Sequence, residues 1–102
     1  MAPPNIKTLV DKLILMFFGK SYCPFCRQAK QLLTDKGLTF KIYEIDLQSE
    51  GADVQAYLLE KTGQRTVPNI FINGQHLGGH SDLVAASTSG KLDKMLQGRT
   101  EL

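Results

Sequence analysis

The chain has 102 residues, 42% hydrophobic and 22% charged, which excludes a disordered chain and is long enough to bury a core without metal or disulfide staples. Its 12 basic and 10 acidic residues leave a net charge of +2 with no Lys/Arg run, so neither nucleic acid nor a membrane surface has an electrostatic partner here. The longest apolar run, Leu13 to Phe18, is too short to span a bilayer.

Met1-Ala2-Pro3-Pro4-Asn5 lacks the basic start and apolar stretch of a signal peptide, and a cytoplasmic location is expected. Asn5 to Asp11 is compatible with a short helix carrying Ile6, Leu9 and Val10 on one face. Leu13 to Phe18 fits a strand buried on both faces, as in a parallel sheet. Gly19-Lys20-Ser21-Tyr22 interrupts the pattern, and Pro24 suits a first helical position, where its missing N–H is not needed. Phe25, Ala29, Leu32 and Leu33 make an apolar stripe at helical spacing, with Gly37 as the stop. Phe40, Ile42 and Glu44 alternate as a second strand reaching Ile45. Ser49 is a candidate cap for a helix to about Lys61, with Val54, Tyr57 and Leu58 inward and Gly63 ending it. Val67 to Ile72 reads as a third strand, Asn73-Gly74 as a two-residue hairpin turn, and Gln75-His76-Leu77 as a fourth strand. Gly78-Gly79 leads to a cap at Ser81 or Asp82 and helical material to about Leu96, interrupted at Ser89-Gly90. This order joins the first two strands in parallel through a crossover helix and predicts an α/β fold, a mixed sheet with helices on both faces.

The chemistry centres on the 2 cysteines, Cys23 and Cys26. Cys23 falls where a strand gives way to a helix, so its sulfur can face the unpaired N–H groups of Phe25 and Cys26 and the positive helix end. With Lys20 nearby, these effects favour thiolate, the attacking species, over thiol. Cys26, one turn later, can reach the same sulfur. That points to Cys23 as nucleophile and Cys26 as resolving thiol. Two other readings stay open: small buried cysteines, or zinc ligands completed by His76 and His80. The pairs stand far apart, where zinc fingers use about 12 residues. Tyr22 and Tyr57 are expected to pack rather than catalyse, and His76 to lie on a strand surface.

Lys20-Ser21-Tyr22-Cys23-Pro24-Phe25-Cys26, Gly63-Gln64-Arg65-Thr66-Val67-Pro68 and Gly78-Gly79-His80-Ser81-Asp82 together resemble the dithiol glutaredoxins across roughly residues 13 to 97. The likeness is greatest to fungal-type members with Cys-Pro-Tyr-Cys-like motifs, notably in Glu50-Gly51-Ala52-Asp53 and Gly63 through Asn69. The resemblance implies a thioredoxin-like fold with a four-stranded mixed sheet, a single domain over residues 1–102 and a monomer. It implies glutathione as reductant and co-substrate, no metal, and glutathionylated or disulfide-containing proteins as partners. Lys20, Gln55 and Arg65 would hold the glycyl carboxylate of glutathione. Val67, before a cis Pro68, would pair with its cysteinyl backbone. Ser81 and Asp82 would receive the γ-glutamyl end, and Phe25, Thr66 and Gly79 would complete the groove. Phe25 stands where the family more often has Tyr, and His80 occupies a variable position beside the γ-glutamyl site. Other functions suggested by the family are an iron–sulfur cluster bridged with glutathione and an adaptor without chemistry. A thioredoxin would carry a Trp before its cysteine pair, and this chain has 0 Trp.

Overall fold

The apolar stretch Leu15–Gly19 forms β1, buried along its whole length, in a computed structural model that describes residues 4–97. The reading of Met1-Ala2-Pro3 therefore lies outside the described residues, as do the last five of the domain expected over residues 1–102. The other elements are α1 (Pro4–Lys12), α2 (Pro24–Asp35), β2 (Lys41–Glu44), a 3-10 turn (Ile45–Leu47), α3 (Gly51–Thr62), β3 (Asn69–Ile72), β4 (Gln75–Gly78), α4 (His80–Ser89) and α5 (Lys91–Gln97). They make a four-stranded mixed sheet in the order β2-β1-β3-β4. β1 runs parallel to β2 and antiparallel to β3, and β4 returns antiparallel to β3.

Because successive strand side chains point to opposite faces, the central strands feed two cores. Leu15, Phe17, Ile70 and Ile72 meet Cys26, Ala29 and Leu33 of α2, Leu83 and Ala86 of α4, and Leu92 of α5. Met16, Phe18 and Phe71 meet Ile6 and Val10 of α1 and Val54 and Leu58 of α3. Each fully buried large side chain contributes about 1.5–3 kcal/mol by leaving water. Phe18 also meets the Phe71 ring edge-on at 5.9 Å between centroids.

Several sequence expectations need correction. β1 starts at Leu15, and Ile14 is exposed, because the chain first has to leave α1. β2 is short and lies at the sheet edge, so Ile42 faces solvent, while Ile45 reaches the core from the 3-10 turn. β3 begins at Asn69, not Val67. The stripe of α2 is Cys26, Ala29 and Leu33, with Leu32 partly buried against the same core as expected; Phe25 is 59% exposed because the first turn overhangs the end of the sheet. Tyr22 does not pack, being 68% exposed. Ser49 caps nothing: α3 starts after Glu50, which makes no side-chain cap bond. α4 starts at His80 after Gly79, earlier than the expected cap at Ser81 or Asp82. The hairpin turn does put both Asn73 (φ 51°) and Gly74 (φ 79°) in the left-handed region, which suits a type I′ turn.

Candidate active site

Cys23 is placed by both of its flanks. The preceding turn is clamped to the 3-10 segment: the Ser21 N–H donates to Asp46 Oδ1 at 2.9 Å and the Ser21 hydroxyl to Asp46 Oδ2. These bonds, the hydroxyl first and helped by the Lys20 ammonium, hold the Asp46 carboxyl below the usual carboxylate range. Cys23 then takes the N-cap position of α2 with an extended backbone, and Pro24 opens the helix. Its Sγ accepts the Cys26 N–H at 3.1 Å, a bond that satisfies one of the helix's unpaired donors. Sequence reasoning gave the sulfur two such donors, Phe25 and Cys26; the bond formed comes from Cys26. Both cysteines are free thiols, Cys23 half-buried and Cys26 fully buried.

Burial pushes the Cys26 thiol up from 9.0 to about 12, helped by its hydrogen bond to Cys23, against opposing effects of the Lys20 backbone and the Lys30 charge. The folded protein thus keeps this proton beyond the pH at which an unfolded chain releases it. Its contribution to stability is complete below about pH 9 and is lost as the pH rises toward about 12. Burial raises Tyr43 from 10.0 in the same direction. Urea denaturation of the reduced protein at about pH 8 and about pH 10.5 checks this. The midpoint is expected to fall at the higher pH, and Cys26→Ala is expected to shrink the fall.

A groove of about 450 Å³ lies beside Cys23; Cys23 is not itself one of its lining residues and meets it through Val67. The Cys23 Sγ lies 3.8 Å from the Val67 carbonyl oxygen, and the Val67–Pro68 bond is cis. Phe25, Thr66, Val67 and Pro68 form part of the wall, and Gly79, Ser81 and Asp82, at the start of α4, form much of the rest. The Gly79 N–H donates to Asp82 Oδ2 at 2.9 Å, which anchors the first turn of α4. Gly78 has φ 125°, and a Cβ there would stand 2.2 Å from the same carboxylate oxygen, so the approach of Asp82 needs glycine. Lys20, Gln55 and Arg65 are not among the lining residues. Gln55 donates its amide to the Arg65 carbonyl, which ties α3 to the segment before Val67.

Two further lining residues are Gln64, to which the sequence assigns no role, and His80, expected beside the γ-glutamyl site. Gln64 donates to both the Thr66 and Pro68 carbonyls at 2.9 Å, bracing the turn that carries Val67. The His80 ring packs on Phe25, 5.5 Å between centroids. A Gln before a strand carries no periodic signal, so only the fold reveals the brace; the same holds for Asp46, far along the chain from Ser21. The zinc set is not assembled. Among the described residues no group of three or more His, Cys, Asp or Glu could hold a metal ion. His76 lies on β4 against Asn69 Oδ1 at 2.8 Å, where burial lowers its pKa.

The arrangement presents one sulfur at a helix start beside a groove with exposed backbone, and a second sulfur buried behind it. The Glutaredoxin family model matches residues 15–77. Glutaredoxin-1 of Rhizophagus irregularis is 52% identical over 96 residues, covering 90% of this chain and 95% of that protein. Glutaredoxin-2 of Schizosaccharomyces pombe is 48% identical over 94 residues, covering 88% of this chain and 86% of its own. The crystal structure of a buckwheat glutaredoxin–glutathione complex is similar with a TM-score of 0.88 at 40% identity, covering 92% of this chain and 86% of that one.

Proposed function

This chain belongs to the glutaredoxin family and is a glutathione-dependent thiol–disulfide oxidoreductase, and from that premise we propose how its groups divide the work. The observation that carries the assignment is the Cys23 sulfur at the N-cap of α2, accepting the Cys26 N–H and bordering the groove through Val67. As thiolate, Cys23 attacks the glutathione sulfur of a protein–glutathione mixed disulfide. A bond forms between Cys23 and glutathione, and the protein leaves as a thiolate that is then protonated. A second glutathione thiolate attacks the bound glutathione sulfur and frees Cys23. On a protein disulfide, Cys23 attacks first and Cys26 resolves the adduct into a Cys23–Cys26 disulfide, which glutathione reduces.

The groove supplies matching groups for the rest of the tripeptide. Backbone N–H groups of Ser81 and Asp82 in the first turn of α4 suit the γ-glutamyl carboxylate, and the Asp82 carboxylate suits its amine. The Val67 backbone can pair with the cysteinyl unit. Phe25, Pro68, Thr66 and Gly79 shape the walls. Lys20, Gln55 and Arg65 serve the glycyl carboxylate, with Gln55 also fixing the Arg65 backbone. On the same reading residues 1–102 make one domain with its core over about 13–97, acting as a cytoplasmic monomer. Among the described residues no helix is long and apolar enough to cross a membrane.

The test is turnover of a glutathionylated peptide with glutathione and glutathione reductase, against thioredoxin reductase as the electron source. Turnover with the first alone supports the assignment; equal turnover with thioredoxin reductase alone defeats it. Cys26→Ser separates the two routes. It is expected to turn over the glutathionylated peptide within about threefold of the parent and to lose at least about tenfold on a protein disulfide in the same assay. Loss of both together would remove Cys26 from the resolving role.

A further inference from the structure

Cys26 has to lose its proton before it can close the internal disulfide, and the fold sets a carboxylate behind it. Glu44 ends β2 in register with Gly19, the last residue of β1. Gly19 has no side chain, and a Cβ built on it would stand 3.2 Å from Cys26 Sγ and 3.3 Å from Glu44 Oε1. The sulfur and the carboxylate oxygen therefore crowd one point at the strand ends. Glu44 Oε2 receives a 2.6 Å ion pair from Lys30, which stands one turn after Cys26 on α2. Glu44 Oε1 is buried and has no hydrogen-bond partner among the described residues. A buried acceptor left unmade is costly, and Cys26 Sγ lies by that same point, its hydrogen bond in the reduced protein being to Cys23. The Lys30 charge also acts on Cys26, drawing its thiol down against the larger effect of burial.

We propose that Glu44 accepts the proton of Cys26, with Lys30 positioning its carboxylate, in the step that closes the Cys23–Cys26 disulfide. This rests on Cys26 being the resolving thiol. When Cys23 carries a substrate sulfur, the Cys26 proton passes to Glu44 Oε1, directly or through one water. The Cys26 thiolate attacks Cys23 Sγ, and the Cys23–Cys26 bond forms. The bond from Cys23 to the substrate sulfur breaks, and its electron pair leaves on the substrate thiolate, which takes a proton from solvent. The cysteine pair is oxidised by two electrons and the substrate disulfide is reduced by the same two. Glu44 then returns its proton to solvent.

The need for such a group follows from burial. Burial is the leading cause of the raised Cys26 pKa, and it persists after Cys23 has lost its charge in the mixed disulfide. A buried thiol held above its ordinary pKa is scarcely ionised at neutral pH, and a placed general base contributes about 10²–10⁴-fold. Among the described residues, the charged and titratable groups placed at the site are Cys23 at the N-cap of α2, Cys26 and Lys30 on α2, and Glu44 on β2. β1 brings Phe17 and Gly19, and the Lys20 backbone acts on the Cys26 thiol.

The test follows release of a coloured aromatic thiol from its mixed disulfide with Cys23, a single turnover that reports internal closure. The parent is expected to release it at a rate independent of pH between about 6 and 9. Glu44→Gln is expected to be at least about tenfold slower at pH 7 and to gain about tenfold per pH unit, because hydroxide then has to remove the proton. Glu44→Asp is expected to restore the flat profile in part. Lys30→Met breaks the same ion pair but keeps the carboxylate; it is expected to be slower with the flat profile kept. Glu44→Gln within twofold of the parent and equally flat overturns the proposal. So does an equal fall of Glu44→Gln and Lys30→Met with the parent's profile, which would make the pair merely structural. Release from Cys26→Ser as fast as from the parent would instead overturn the resolving role itself, and the proposal with it.

Discussion

Cys23→Ser is expected to lower turnover of a glutathionylated peptide by on the order of 10³-fold or more while leaving the fold intact. The Cys23 side chain accepts a single N–H from Cys26 and is half-buried, so an oxygen can take the same bond without opening a cavity in the core. What the substitution removes is the nucleophile. A serine hydroxyl stays protonated at neutral pH and is a far weaker nucleophile than a thiolate. The buried Cys26 cannot substitute, because it is fully enclosed and burial, the leading cause of its raised pKa, remains when Cys23 is gone, and thiolate is what attacks. Steady-state turnover with glutathione and glutathione reductase measures the loss, and an unchanged urea midpoint separates it from unfolding. Activity within about tenfold of the parent would mean that another sulfur or hydroxyl performs the attack.

The sequence made the centre of the fold legible and left its ends obscure, for one physical reason. Periodicity records burial only where an element is covered along its length. β1 and β3 are covered on both faces, so Leu15 to Phe18 and Ile70 to Ile72 read as strands from composition alone. Asn73-Gly74, Gly63 and Gly90 were legible because positive φ favours those residue types. Phe25, by contrast, continues the α2 stripe in sequence but lies beyond the sheet's end, where the groove replaces the core. Glu44 continued an alternating pattern with Phe40 and Ile42, and nothing in that pattern marked it as an acid turned in toward Cys26 and Lys30. At the site, Cys23, Cys26 and Pro24 carried a local signal, a helix start with a sulfur at its cap. Gln64, Asp46 and Glu44 act across the chain on backbone groups or on partners in other elements, and such contacts leave no spacing to read.

The largest effect on stability is expected at Gly51, away from the chemistry. Gly51 opens α3 directly after the 3-10 turn, with its N–H donated to the Gln48 carbonyl at 3.1 Å. It is fully enclosed, and a Cβ at this position would stand 2.0 Å from the Ile45 carbonyl oxygen and 3.0 Å from its carbon. Both are backbone atoms, and Ile45 itself is buried against Phe18, Val54 and Leu58, so neither side can give way without pulling a core residue out. Helix propensity favours the substitution, since Gly→Ala in a helix gains about 1 kcal/mol. The clash outweighs it: overpacking against immobile atoms costs about 1–3 kcal/mol and more when backbone must move. Gly51→Ala is therefore expected to lose roughly 3 kcal/mol or more, a large share of the ~5–15 kcal/mol that holds a domain of this size. A urea titration measures it as a fall in midpoint. Gly63→Ala serves as the contrast. It also removes a glycine, but at φ 77° with nothing within 4 Å of the added Cβ, so its cost is only that of the left-handed backbone, about 1 kcal/mol. If Gly51→Ala proved no worse than Gly63→Ala, the join between the 3-10 turn and α3 would be looser than these distances require. The same join holds Asp46, and through it the turn that presents Cys23. The destabilised Gly51 variant is thus expected to lose activity in proportion to the fraction unfolded, with the surviving folded molecules still active.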